Sequence, residues 1–449
     1  MDDKDLNRRQ FLKRLGMGAG AILASSLMEP IKLFAGTADG KAGAQQDGLN
    51  AMTYRVQRGT KDKVSLLGFG MMRLPKSQDE VNAMVDYAIA HGVNYFDTAP
   101  VYGNGSSEIA TGIALKRHNR KDFLLATKMS NFGGFSLEEA KDIYQTSMKR
   151  LQVDYFDYYL LHAIGGGGMD MLHKRFLDNG VLDFLLEERK AGRIRNLGFS
   201  YHGDVKAFDY LLDNNDKYHW DFVQIEMNYV DWRHAGNGKK KDDADADAEY
   251  LYNKCEKLGI QNVVMEPLLG GRLANLPQEV GEKLKNRRPD ATAASWAFRW
   301  VGSHPNIICT LSGMRVMANV EENVKTFSPL DPCTTADYDF MEQIANDLSG
   351  FPVIPCTGCH YCMPCPFGVD IPGNFAYYNE AVNSKLLPLP EKGSKEYAAQ
   401  LKKYQDGFRR AIPELKRASQ CQDCEACLPK CPQQIRIPNQ MARLVELCK

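Results

Sequence analysis

From residue 54 onward the chain repeats one pattern about eight times: a short apolar run, then a stretch with the period of an amphipathic helix. The strand candidates are Val64–Phe69, Asn94–Phe96, Phe123–Thr127, Tyr155–Leu161, Ile194–Phe199, Phe222–Ile225, Asn262–Met265 and Ile307–Leu311. Between them lie helix-period segments such as Glu80–His91, Leu137–Leu151 and Val181–Lys190. Strands alternating with helices pair in parallel, since each crossover returns the chain to the same end of the sheet, and both sheet faces are then covered. Eight such units fit a closed (β/α)8 TIM barrel of the α/β class, a fold of roughly 250 residues. A doubly wound open sheet is the alternative. A short hairpin, Tyr54–Val56 against Lys63–Val64, is expected to cover the N-terminal mouth.

In such a barrel, chemistry sits where strands end and the following loops begin. Asp97, Lys128 and His162 close the second, third and fourth strands, and Tyr102 follows on the loop after Asp97. Any one of these alone would read as structural; four proton-handling groups on one barrel face are a sharper signal. The run Gly92-Val93-Asn94-Tyr95-Phe96-Asp97-Thr98-Ala99-Pro100-Val101-Tyr102-Gly103, with Ser107-Glu108 after it, resembles the aldo-keto reductase signature. Ala126-Thr127-Lys128 and Leu160-Leu161-His162 match that family's next two motifs, and the resemblance spans residues 52–328. It implies a catalytic tetrad of Tyr102, Lys128, Asp97 and His162. Hydride reduction of a carbonyl needs a proton donor at the developing alkoxide, and Tyr102 is expected to be that donor. The Lys128 ammonium is expected to lower the phenol pKa, with Asp97 holding Lys128 charged and His162 orienting the substrate oxygen.

The same resemblance implies nicotinamide binding without a Rossmann fingerprint; Gly68-Phe69-Gly70 is not a full Gly-x-Gly-x-x-Gly. Ser200 and Gln224 are expected to hold the carboxamide. Gly313, Arg315, Asn319, Glu322 and Asn323 are expected to bind the adenosine end, with Arg315 favouring NADP(H) over NAD(H) because a guanidinium fork matches a 2′-phosphate. Three positions depart from the family pattern: Tyr201 with His202 stands where Asn follows the Ser, Met265 where an aromatic often stacks on nicotinamide, and Asn319 where Gln is common. The charged run Lys239–Asp243 is expected to be a solvated loop after strand six.

Cysteine is distributed unevenly: of 12, three lie before residue 356 and nine from there on. Cys356-x-x-Cys359-x-x-Cys362-x-x-Cys365-Pro366 is followed by Cys421-x-x-Cys424-x-x-Cys427-x-x-x-Cys431-Pro432, the second being the bacterial ferredoxin run. Each leads into a matching tail, Val369-Asp370-Ile371-Pro372 and Ile435-Arg436-Ile437-Pro438, so the duplication is visible within the chain. Zinc needs only two Cys-x-x-Cys pairs, and adjacent Cys-x-x-Cys runs are poor disulfide staples for a long loop. Two [4Fe–4S] clusters explain spacing, prolines and repeat together. Since the fourth Cys serves the other cluster in two-cluster ferredoxins, the expected ligand sets are Cys356, Cys359, Cys362 with Cys431, and Cys421, Cys424, Cys427 with Cys365. Cys255, Cys309, Cys333 and Cys448 lack such spacing and are expected to be packing residues. The expected unit is a small α+β ferredoxin-like domain over residues 345–449, with a helical insertion around Lys395–Lys416.

Before the barrel, Arg8-Arg9-Gln10-Phe11-Leu12-Lys13 and the apolar run Leu15–Leu27 resemble a bacterial twin-arginine export signal. Residues 1–48 are therefore read as signal and linker, the barrel as 49–330, and the protein as exported to the periplasm. Ala42-Gly43-Ala44 offers a cleavage site; an ordinary leader or an uncleaved membrane tether are the alternatives. With 56 basic and 56 acidic residues, the chain carries no net charge that would suit a nucleic-acid partner. No apolar run reaches the ~18 residues needed to span a bilayer. The expected partners are a small carbonyl or alcohol substrate and a redox protein. The alternatives from other classes are a non-catalytic nucleotide-binding electron-transfer or sensing protein, and an assembly factor.

Overall fold

A computed structural model describes residues 51–235, 247–387 and 395–448. The export-signal segment and the Lys239–Asp243 run lie outside these residues. An antiparallel hairpin, β1 (Tyr54–Val56) with β2 (Lys63–Ser65), comes first. Eight parallel strands follow: β3 (Leu67–Gly70), β4 (Tyr95–Asp97), β5 (Leu124–Met129), β6 (Phe156–Ile164), β7 (Ile194–Tyr201), β8 (Phe222–Glu226), β9 (Gln261–Met265) and β10 (Ile307–Ser312). β10 pairs with both β9 and β3, which closes the barrel and removes the open sheet. The apolar run Val64–Phe69 is divided at Leu66 between the hairpin and the first barrel strand.

Alternation along the strands produces two apolar layers. Side chains pointing inward, among them Tyr95, Ala126, Tyr158, Phe222 and Cys309, fill the barrel. Tyr158 meets Tyr95 and Phe222 edge-on, with ring centroids 4.9 and 5.0 Å away. The filling is tight enough that a Cβ at Gly68 would stand 2.5 Å from the Cys309 sulfur. Outward-pointing residues meet the helices. In the helix Leu137–Leu151 the buried positions Ala140, Tyr144, Ser147 and Leu151 recur at helical spacing, and Ser136 with Glu139 forms a reciprocal capping box at its start.

The helix Thr335–Ser349, capped by Thr334, leads out of the barrel, and its Met341, Ile344 and Ala345 join the barrel's outer core. Beyond it lies a second core built on Ile354, Phe375, Tyr378, Tyr404, Phe408 and Leu444. The helices here are Ile371–Asn383, Lys395–Ala411 and Ile437–Cys448. Both Ile-Pro tails thus open a helix, proline being suited to a first turn whose N–H groups lack partners. Among the described residues no strand occurs after β10, so this unit is helical where an α+β arrangement was expected. Its cysteine loops are bordered by helices, which supply the apolar cover that a sheet face would otherwise give. Among the described residues no helix is long and apolar enough to cross a membrane.

Candidate active site

The expected tetrad meets at the C-terminal mouth of the barrel. Asp97 is the last residue of β4, Lys128 and His162 lie near the ends of β5 and β6, and Tyr102 opens the turn after β4. Lys128 Nζ donates to Asp97 Oδ1 at 2.6 Å and to the Thr98 carbonyl at 2.7 Å. Both side chains are almost wholly buried, at 1% and 3% exposure, so the pair attracts through a medium of low permittivity. Burial pushes the Asp97 carboxyl up and the Lys128 amine down, and their mutual charge opposes both effects. The Tyr102 and His162 rings stand perpendicular at 6.0 Å. His162 Nδ1 shares a 2.6 Å hydrogen bond with Ser130 Oγ, and burial followed by the Lys128 charge keeps the imidazole neutral.

One expectation is corrected here. The Tyr102 pKa is not lowered; burial first, then the Asp97 carboxylate, pushes the phenol well above its ordinary value. The reason is geometric. Lys128 Nζ lies over the Tyr102 ring, 5.0 Å from its centroid, and directs its hydrogen bonds to Asp97 and Thr98. The phenol is therefore held as a proton donor.

Around this centre β7 and β8 place Ser200 opposite Gln224. Ser200 Oγ accepts the Ala163 N–H at 2.9 Å. Gln224 Oε1 is buried and has no hydrogen-bond partner among the described residues. That orphaned acceptor fits a carboxamide N–H donor such as nicotinamide carries. Tyr201 turns its hydroxyl to the Gly203 carbonyl, and His202, whose pKa burial pushes down to about 4, brings its ring to 6.0 Å from His162. At the adenosine end Gly313 and Arg315 are exposed just after β10. Asn319 accepts the Arg315 N–H at 3.2 Å, Glu322 accepts from the Thr292 hydroxyl, and buried Asn323 donates to Ser312 Oγ at 2.9 Å. Asn323 is thus a strut of the loop as well as a nucleotide candidate.

The eight motif cysteines gather in the crossed arrangement expected from their spacing. Cys431 stands beside Cys356 and Cys359, with Cys362 completing the group; burial first, then the neighbouring thiols, push their pKa values up to about 11 for Cys356 and about 12 for Cys359 and Cys362. Cys427 has Cys421, Cys424 and Cys365 as neighbours. Cys365, Cys421, Cys424 and Cys427 border one cavity, beside Pro366 and Phe367. Among the described residues no three such side chains converge as a single metal ion requires. The donor set, eight thiols around two centres, suits iron–sulfur chemistry. Cys255 and Cys309 are buried in the barrel, as expected for packing residues.

Residues 66–345 match the aldo/keto reductase family, and residues 355–435 match the 4Fe-4S dicluster domain. The chain belongs to the aldo/keto reductase family. It is 28% identical over 306 residues to L-galactose dehydrogenase of Arabidopsis thaliana, covering 63% of this chain and 90% of that one. An aldo-keto reductase of Bacillus halodurans in its holo form superposes with a TM-score of 0.52 at 24% identity, over 65% of this chain and 96% of that one. An aldo/keto reductase of Klebsiella pneumoniae in complex with NADP and acetate superposes with a TM-score of 0.51 at 21% identity, over 65% and 94% of the two chains. These two likenesses concern the barrel fold.

In this family member the cysteine unit rests on the barrel mouth. Arg73, at the end of the turn after β3, donates to the Thr357 carbonyl at 2.8 Å and forms an ion pair of 3.5 Å with Glu266. Gly270, at φ +68°, lies so close to Thr357 that a Cβ there would stand 2.2 Å from its carbonyl oxygen. Gln433 donates to both carboxylate oxygens of Glu226, at 2.9 and 3.1 Å. Tyr361, between Cys359 and Cys362, is a neighbour of Tyr102, and burial first, then Tyr102, pushes its phenol well above its ordinary value. Neither Tyr361 nor Arg73, Ser130 or Glu266 carries a signal in the sequence that marks it as part of this site. Each lies outside the family motifs, and the folded chain alone brings them in.

Proposed function

We propose that the chain is an NADP(H)-dependent oxidoreductase that reduces a small carbonyl compound, or oxidises the corresponding alcohol, and that it carries two [4Fe–4S] clusters. The observation that carries this reading is the buried Lys128–Asp97 pair beside Tyr102 and His162, together with the orphaned Gln224 acceptor. When bound, the nicotinamide supplies or accepts the hydride. Gln224 and Ser200 would hold its carboxamide, and Arg315 would pair with the 2′-phosphate of NADP; the Klebsiella protein's complex with NADP supports that preference. Tyr102 gives its proton to the carbonyl oxygen as negative charge develops there. Its raised pKa keeps the donor loaded in the ground state, and the Arg73 charge favours the phenolate left behind. Ser130 donates to His162 Nδ1, so that Nε2–H points its hydrogen bond at the substrate oxygen.

The ligand sets are Cys356, Cys359, Cys362 with Cys431, and Cys421, Cys424, Cys427 with Cys365. The clusters supply one-electron transfer when assembled, and a redox partner protein is the proposed electron donor or acceptor. Export by the twin-arginine route, as a folded and loaded protein, accords with this need for cytoplasmic assembly. The test is anaerobic purification of the full chain with iron and labile-sulfide analysis, followed by NADPH oxidation with a panel of aldehydes, ketones and sugars. About eight irons and eight sulfides per chain are expected, with NADPH consumed only in the presence of a carbonyl. Bound zinc without sulfide, or no nucleotide turnover with any carbonyl, would overturn the respective half of the reading.

A further inference from the structure

We propose that Arg175 is a positioning residue of the reductase site: its buried guanidinium grips the backbone carbonyls of His162 and Ala163 and so fixes where the His162 imidazole points. The inference rests on the reductase reading above. The need for such a grip starts in β6. Its pairing with β5 ends at Leu161, and its register against β7 shifts between Leu161 and Ile164, so His162 and Ala163 fall in the irregular step. A step of this kind re-aims a side chain and leaves backbone groups without ladder partners. Ala163 has a left-handed φ of +57°, and both residues are buried, so their carbonyls must be satisfied from elsewhere. Arg175 Nη2 donates to the His162 carbonyl at 2.6 Å and Nη1 to the Ala163 carbonyl at 3.2 Å, which also accepts the Gly166 N–H at 3.3 Å. The Ala163 N–H goes to Ser200 Oγ at 2.9 Å, so the same stretch of backbone joins His162 to the proposed nicotinamide seat.

Arg175 stands on the π-helical turn His173–Leu177 and is itself held from the loop after β5. Asn131 accepts from its Nε at 3.3 Å and donates to its carbonyl at 2.7 Å. The residues on either side of Asn131 reach His162 directly. Ser130 Oγ shares the 2.6 Å bond with Nδ1, and the Phe132 ring lies 5.2 Å from the imidazole, with the guanidinium 4.5 Å from the centre of that ring. The imidazole is thus held at a ring nitrogen, at its face and through its backbone, and Arg175 touches the last two holds. The guanidinium is 2% exposed, yet the oxygens that accept from it are all neutral. Burying a cation without a counter-charge is costly, and a side-chain amide could serve two carbonyls without that cost. The charge has a use in this site: with burial, Lys128 and His202, it acts to keep His162 neutral, the form whose Nε2–H is free to donate to a substrate oxygen.

The experiment uses the anaerobically loaded full chain, with Arg175→Met and Arg175→Lys each made in the wild-type and in the His162→Gln background. The lysine keeps the charge but loses the fork, and it stands in should the methionine variant fold poorly. Arg175→Met is expected to lose on the order of tenfold or more in kcat when His162 is present, with carbonyl KM and NADPH affinity changed little. Arg175→Lys is expected to recover part of that loss. In the His162→Gln background neither substitution is expected to lower kcat further, because the guanidinium acts through the imidazole; a mere strut would cost the same in both backgrounds. An independent readout is the rate at which diethyl pyrocarbonate modifies His162, followed by peptide mass spectrometry. That rate is expected to rise several-fold in Arg175→Met. Unchanged kcat in both Arg175 variants, equal losses in the two backgrounds, or His162 modification indifferent to the loss of the guanidinium overturns the positioning role. Should wild type reduce no carbonyl while His162 modification still follows Arg175, the grip stands and the reductase reading fails.

Discussion

Gln224 places a carboxamide oxygen in a buried position with no partner among the described residues, a state that costs about 1–3 kcal/mol unless something donates to it. Nucleotide binding would relieve that cost. Gln224→Ala is therefore expected to weaken NADPH binding by about tenfold in fluorescence titration while kcat changes little; an unchanged affinity would remove Gln224 from the nucleotide site. Residues of this kind were legible in the sequence because they sit in local runs. Asp97, Lys128 and His162 each end an apolar strand, and a barrel sends all strand ends to one mouth. The acidity of Tyr102 was not legible. Its direction depends on burial and on where Lys128 directs its hydrogen bonds, and neither is encoded near Tyr102. Tyr361, from a segment far along the chain, completes that environment.

Elements followed the sequence where their signals were periodic, as with the helix Leu137–Leu151 and its capping box. They departed where tertiary contacts decide. The break at Leu66 lets one apolar run serve both a hairpin and the barrel, and the cysteine unit has helices where strands were expected. Gly270 and Gly271 illustrate a contact that sequence cannot announce: both have positive φ, +68° and +100°, yet only Gly270 lies against Thr357. An alanine at either carries a left-handed strain of about 1–2 kcal/mol. Gly270→Ala also drives a Cβ into the cysteine loop, so it is expected to lower the thermal midpoint more than Gly271→Ala and to reduce retained iron. Equal losses in the two variants would mean that the close approach contributes nothing.

For the whole molecule, the base of the barrel is as informative as its mouth. Arg55 from the hairpin donates to the carbonyls of His304 and Gly302, and His304 lies among Trp300, Trp232 and Tyr338, the last from the linking helix. Burial pushes the His304 pKa down to about 4, against an unfolded value of about 6.5. As pH falls below 6.5 the unfolded chain takes up a proton that the folded chain refuses, so stability is lost between there and about pH 4. The stability advantage of wild type over His304→Gln, compared in denaturation of the apoprotein, should shrink by about 2 kcal/mol between pH 7 and pH 5; a constant difference would show that His304 does not titrate in this way. The most direct test of the central claim is carbonyl-dependent NADPH oxidation by the loaded full chain and its Tyr102→Phe variant, with nucleotide affinity measured alongside. A loss of 10²-fold or more in kcat, with NADPH bound as tightly as by wild type, is the expected result; comparable turnover by the two proteins would contradict Tyr102 as the proton donor and the reductase mechanism built on it.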